Sequence, residues 1–383
     1  MNVLGETLQD TFTRKGITRR DFMKFCGVMA GALALPKSTA DLIARALESP
    51  KRLPVIWLEL QDCAGCSEAF LRTPTPTVGE LVLDVLSVDY HETIMAASGQ
   101  AAEAAKQASM AAGGYILVVE GAISTADDGG YCCIAGKSSM DIIREAAKNA
   151  VAIVAVGTCA TYGGIPKAVP NPTSAVGVMD IIKDKPIINL PGCPVNPVNL
   201  SATIVHYLTF NRLPEVDKLL RPLFAYGAKI HDNCERRGHF DAGEFVRIWG
   251  DEGHRKGWCL YQMGCKGPVT YHNCPTVRYN NGTSWPVASG HPCIGCSEPG
   301  FWEMKTYEPI NLYEFAPPEQ FPSVEKPSRE LDPAAVAISG TAIGFITGAA
   351  GAIAYNALTN RSGHQKPEVE TDETENKDHS EHA

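Results

Sequence analysis

The chain has 383 residues, 44% of them hydrophobic and 20% charged, which is the composition of a folded globular protein with room for two domains and excludes wholesale disorder. The net charge of −9 gathers at one end, where residues 367–383 carry seven acidic groups against one lysine, and no basic stripe exists to neutralise phosphates, so nucleic-acid binding is excluded. Thirteen cysteines stand out in a chain too long to need disulfide staples.

Thr18-Arg19-Arg20-Asp21-Phe22-Met23-Lys24 precedes an apolar run over 25–35, and Ala44-Arg45-Ala46 offers a small-x-small cleavage site. Basic region, apolar region and cleavage site in that order predict a twin-arginine export signal over 1–46, against the blander reading of a basic amphipathic helix. Removal of the signal would start the mature chain at Leu47 and discard Cys26.

Between 47 and 220, short β-branched or aliphatic runs at 54–58, 115–119, 151–156 and 186–190 alternate with helical stretches such as 101–112 and 139–150. Runs apolar throughout belong to strands buried on both faces, which predicts an α/β domain with a doubly wound, flavodoxin-like parallel sheet. In such domains the loops leaving the C-terminal strand ends build the site. Here those loops carry Cys63-Ala64-Gly65-Cys66, Gly157-Thr158-Cys159 and Pro191-Gly192-Cys193-Pro194. Three strand ends thus bring four thiols to one rim, and a fourth brings Glu120-Gly121. A core cysteine would fall within a strand, so a shared metal centre is the expectation.

From 221 to 315 the periodicity fades and ligand types accumulate: His231, Cys234, Cys259, Cys265, Cys274, Cys293 and Cys296. Metal coordination would supply the stability that so irregular a region lacks. Zinc is one reading, since His231, Cys234, Cys259 and Cys265 could close a four-coordinate site. Cys274, Cys293 and Cys296 are only three thiols, which suits an iron–sulfur cluster short of one iron. The eleven ligands divide four, four and three. Cys132 and Cys133 are read as structural thiols near the rim.

A Pro-rich linker over 316–332 leads to residues 333–358, which contain no charged side chain. As a helix they would rise about 1.5 Å per residue, enough to span a bilayer, with Gly340, Gly344 and Gly348 on one face. Arg361 and Lys366 favour a cytoplasmic end for this span. The acidic tail over 359–383 is a solvated end.

At these motifs, together with Ile230-His231-Asp232-Asn233-Cys234, Trp258-Cys259-Leu260-Tyr261, Gly264-Cys265-Lys266-Gly267-Pro268 and Gly290-His291-Pro292-Cys293, the chain resembles the small subunit of membrane-bound nickel–iron uptake hydrogenases. The resemblance implies a proximal 4Fe-4S cluster on Cys63, Cys66, Cys159 and Cys193, and a distal 4Fe-4S cluster on His231, Cys234, Cys259 and Cys265. It implies a medial 3Fe-4S cluster on Cys274, Cys293 and Cys296, and a Ni-Fe centre in a partner large subunit. Catalytic residues would lie there and none here. It further implies a periplasm-facing position at the inner membrane, oxidation of H2, and electron delivery to a quinone-reducing cytochrome b or an iron–sulfur and membrane-protein pair. Oxygen-tolerant relatives carry extra cysteines at the positions of Gly65 and Gly164, so the standard, oxygen-sensitive type is expected. The other readings are an electron-transfer subunit of another respiratory complex, such as the small chain of complex I, and an exported zinc-binding structural protein.

Overall fold

Among the residues that the computed structural model describes, 18–47, 52–73 and 86–310, five strands form one parallel sheet. They are β1 (Leu53–Glu59), β2 (Leu86–His91), β3 (Tyr115–Glu120), β4 (Ala150–Val156) and β5 (Ile187–Leu190), in spatial order β2-β1-β3-β4-β5. That is the order of a doubly wound sheet, with its site expected at the carboxyl ends of the strands. Register sets the two core layers. Ile56, Leu117, Ile153 and Ile187 lie side by side on one face, and Trp57, Val118, Val154 and Ile188 on the other. Since both faces are covered, these strands read as unbroken apolar runs. β2 was not placed from sequence: Leu-Ser-Val-Asp-Tyr-His is an edge strand, half-buried along its middle, and shows no such run.

Helices α1 (Arg19–Ala32) and α2 (Ala40–Leu47) precede the sheet, followed by α3 (Gly65–Leu71), α4 (Gly99–Ala112), α5 (Ser139–Ala147), α6 (Gly157–Tyr162) and α7 (Pro197–Phe210). The helix ends carry their signals. Ser138 caps α5 by accepting the Asp141 N–H, and Asn196 caps α7 from Val198 N–H with Pro197 in the first turn. One face of the sheet packs on α4 and α5 through Ala102, Met110, Ile142 and Ile143. The other packs on Phe70 of α3 and Leu200 and Ile204 of α7.

The N-terminal segment belongs to this second core. Phe22, Phe25, Cys26, Met29, Ile43 and Leu47 are all at most 5% exposed and cluster with the sheet and α7, so the described part of the expected export signal packs against the domain. The cleavage site expected after Ala46 falls inside α2, whose Ala44 and Leu47 are buried.

Beyond 220 the chain forms short turns around a third core in which Ile230, Val246, Leu260, Trp285 and Val287 pack with the thiols of Cys265, Cys274 and Cys293. This region is tied to the α/β part by bonds such as Asn196 Nδ2 to the Arg278 carbonyl (2.7 Å) and Asn199 Nδ2 to Asn273 Oδ1 (2.9 Å). No helix among the described residues is long and apolar enough to cross a membrane. The span expected over 333–358, its linker and the acidic tail lie outside the described residues.

Candidate metal centres

The first set stands on the rim of the sheet. β1 runs into a turn in which Ala64 takes a left-handed φ of 56° and donates its N–H to Asp62 Oδ2, presenting Cys63 outward and Cys66 inward on α3. Glu120, at the end of β3, is 2% exposed. Its carboxylate accepts the N–H groups of Cys66 (2.9 Å) and Ser67 (3.0 Å), the Ser67 hydroxyl and the Trp57 indole N–H, and so holds the N-terminus of α3. β4 passes straight into α6, which carries Cys159. β5 leads to Cys193, and the two loops are tied by Thr158 N–H to Gly192 O and Gly192 N–H to Thr158 Oγ1, both 2.9 Å.

Glycines keep the rim open. A Cβ on Gly157, whose φ is +79°, would stand 2.4 Å from Cys66 Sγ, and one on Gly164 would stand 2.6 Å from Cys159 Sγ. Three of these thiols sense their neighbours on the rim. Cys66 is raised by Cys159 and Cys193, Cys159 by Cys193 and Cys63, and Cys193 by Cys63. Burial is the larger cause in each case, lifting Cys66 well above an ordinary thiol and Cys159 to about 12. Such thiolates need a compensating positive centre.

The second set lines one small cavity, where His231, Cys234, Cys259 and Cys265 meet beside the guanidinium groups of Arg236 and Arg237. Burial pushes Cys234 up to about 12 and Cys259 to about 11. His231 is lowered to about 4, first by burial and then by Arg237, and its ring meets Phe240 edge-on at 4.5 Å. A neutral imidazole is a competent metal ligand.

The third set, Cys274, Cys293 and Cys296, lines a cavity of about 520 Å³ that also reaches Cys193 and Gly65 of the first. Cys296 senses Cys193, and Cys293 senses Cys265 of the second set. The Thr158 hydroxyl, next to Cys159, donates to the Cys296 carbonyl. The third set in sequence therefore lies between the other two in space. All eleven expected ligands fall into these three groups.

Among the described residues, the one group of three ligand-type side chains with donor atoms mutually within 4.8 Å is Glu59, Asp62 and Glu120. No three donors of the cysteine sets approach so closely. Cys132 is half-buried and Cys133 exposed, beside an open cleft that also touches Asp62 and Glu92. Sequence reasoning missed three buried polar features for lack of any motif. One is Glu59, which receives the Thr93 hydroxyl (2.7 Å) and lies 2.8 Å from the Ser67 hydroxyl. Arg221 is paired with Asp217 and Glu298, and His272 lies beside Cys274.

Two families match the chain. The C-terminal part of the NiFe/NiFeSe hydrogenase small subunit matches residues 226–308, spanning the second and third sets. The 20 kDa subunit of NADH ubiquinone oxidoreductase matches residues 63–207, spanning only the first. The chain is 45% identical to the hydrogenase-2 small chain of Escherichia coli K12 over 87% of its own length and 91% of that protein. It is 49% identical to the quinone-reactive Ni/Fe-hydrogenase small chain of Wolinella succinogenes over 76% and 82%. A crystal structure of the reduced, active Ni-Fe-Se hydrogenase of Desulfomicrobium baculatum superposes with a TM-score of 0.63 at 38% identity, covering 68% of this chain and all of that one. With that identity extending over both the rim thiols and the irregular region, the chain belongs to the small-subunit family of nickel–iron hydrogenases.

Proposed function

We propose that this chain conducts electrons from a Ni-Fe centre in a partner large subunit, where H2 is oxidised, to an acceptor in the membrane. In this reading Cys63, Cys66, Cys159 and Cys193 hold a proximal 4Fe-4S cluster, Cys274, Cys293 and Cys296 a medial 3Fe-4S cluster, and His231, Cys234, Cys259 and Cys265 a distal 4Fe-4S cluster. The observation that carries it is the position of the third set between the other two, since a relay needs stations in a row. The donor sets fit such clusters. A single zinc ion with Zn–S bonds of about 2.3 Å would draw its thiolates to about 3.8 Å of one another, whereas no three of these donors lie within 4.8 Å.

Iron–sulfur clusters supply one-electron redox chemistry when bound. The chain's own residues hold them and set their surroundings. Backbone N–H groups of Val195, Arg236 and Gly295 point at the sulfurs of Cys66, Cys234 and Cys293, each at 3.4 Å. These dipoles favour the more negative, reduced state. The buried rings of Tyr226 and Trp285 pack beside the third set and give the middle of the path an apolar wall.

The exit belongs at His231, whose imidazole replaces one negative thiolate. The further parts of the reading are export by the twin-arginine route, a membrane span over 333–358, residence on the periplasmic side of the inner membrane, and a quinone-reducing cytochrome b or iron–sulfur and membrane-protein pair as acceptor. The motif at 18–24 and the quinone reactivity for which the Wolinella relative is named support them. The proximal cluster is of the ordinary, oxygen-sensitive kind, because Gly65 and Gly164 stand at the positions of the extra cysteines. Two successive one-electron oxidations of the proximal centre would overturn that assignment.

Metal analysis and electron paramagnetic resonance of the anaerobically purified complex test the whole reading. Three iron centres are expected, one with the signature of an oxidised three-iron cluster. Fewer centres, or a colourless chain holding zinc, would overturn it.

A further inference from the structure

His272 is an unusual residue to find in this core. It is 2% exposed, and its Nδ1 stands 3.0 Å from Cys274 Sγ. Its Nε2 is buried with no hydrogen-bond partner. The backbone around it is clamped, with His272 N–H donating to the Ala228 carbonyl (3.2 Å) and Ile230 N–H to the Thr270 carbonyl (2.8 Å). The ring is wedged edge-on against Tyr226 at 5.0 Å, and Tyr226 is itself fixed by its hydroxyl bond to the Pro191 carbonyl (2.7 Å).

We propose that His272 is a positioning residue that donates an Nδ1–H hydrogen bond to the Cys274 thiolate and thereby raises the reduction potential of the medial centre. The inference rests on the reading of Cys274 as a cluster ligand. A ligating sulfur carries no proton, so a close Sγ···Nδ1 pair requires the proton on nitrogen. The unpartnered Nε2 selects the same tautomer: a proton there would bury an unsatisfied N–H, while a bare lone pair costs less. The positive end of the N–H dipole then faces a sulfur whose negative charge grows when the cluster accepts an electron, which stabilises the reduced form. The Tyr279 hydroxyl, also near this sulfur, donates to the Pro194 carbonyl at 3.3 Å. Cys293 relies on the Gly295 N–H, at 3.4 Å. His272 is thus the imidazole donor of the third set, as His231 is the imidazole ligand of the second.

The test is a redox titration of the anaerobically purified complex, following the resonance signal of the oxidised three-iron centre. H272F keeps a ring of similar size against Tyr226 and removes the donor. It should favour the oxidised cluster about tenfold at a fixed potential, a downward shift of about 59 mV for one electron. H272N places an amide nitrogen where Nδ1 stands and should keep the wild-type midpoint, whereas H272Q places its donor where Nε2 stands and should behave as H272F. A wild-type midpoint in H272F overturns the proposal. If H272F fails to assemble the centre, equal midpoints for H272N and H272Q overturn it instead. Absence of a three-iron signal from the wild-type complex would remove the underlying reading and not the hydrogen bond alone.

Discussion

Glu120 and Cys66 lie 54 residues apart and meet through a 2.9 Å hydrogen bond from the cysteine N–H to the carboxylate. The same carboxylate takes the Ser67 N–H and hydroxyl, so one buried acid fixes the turn that aims Cys66 at its site. E120A leaves the two N–H donors without a partner, each buried loss costing about 1–3 kcal/mol. A lower melting temperature and a loss of iron from the proximal site are expected, measured by thermal unfolding and iron-to-protein ratio. Wild-type iron content in E120A would show that the turn holds without its acid.

Gly157 permits the approach of two loops. G157A introduces a Cβ 2.4 Å from Cys66 Sγ on a backbone with φ +79°. The sulfur must leave its rotamer or the strand-to-helix turn must shift. Proximal resonance signals should vanish while those of the other two centres persist.

Arg221 is buried and bridges Asp217 (2.8 Å) and Glu298 (2.9 Å), with Glu298 also receiving the Tyr271 N–H. R221M leaves two carboxylates without their cation inside the protein, a change that costs about 3–5 kcal/mol. A large drop in melting temperature is expected, partly recovered in the double variant R221M/E298Q.

Glu92 is raised to about 7, mainly by burial, and one of its oxygens has no hydrogen-bond partner. Its folded value lies above the unfolded one, so it favours folding while protonated. That contribution is full below about pH 4.5 and is lost as the pH rises through about 7. E92Q should therefore match wild type in melting temperature near pH 4.5 and exceed it near pH 8. An advantage of equal size at both values would place the effect outside ionisation.

H231A should slow reduction of the membrane acceptor while sparing hydrogen–deuterium exchange at the partner's Ni-Fe centre, because the change lies at the far station. Loss of both activities to the same extent would show that the three sets are not a relay.

The sequence by itself determined the parallel sheet and marked the candidate ligands, and the reason is local. Strands covered on both faces cannot avoid continuous apolar runs, and thiols at the starts of three strand-end loops are not core filling. It did not show β2, whose middle is half-exposed at the sheet edge. Only the tertiary structure decided how the distant segments meet. It set Cys274, Cys293 and Cys296 between ligands that precede them in the chain, and laid α1 and α2 on the sheet. It buried Glu120, Arg221 and His272 against partners that no spacing announces. A contact across 54 residues, such as that of Cys66 with Glu120, is fixed by strand order and register, which single stretches of sequence do not encode.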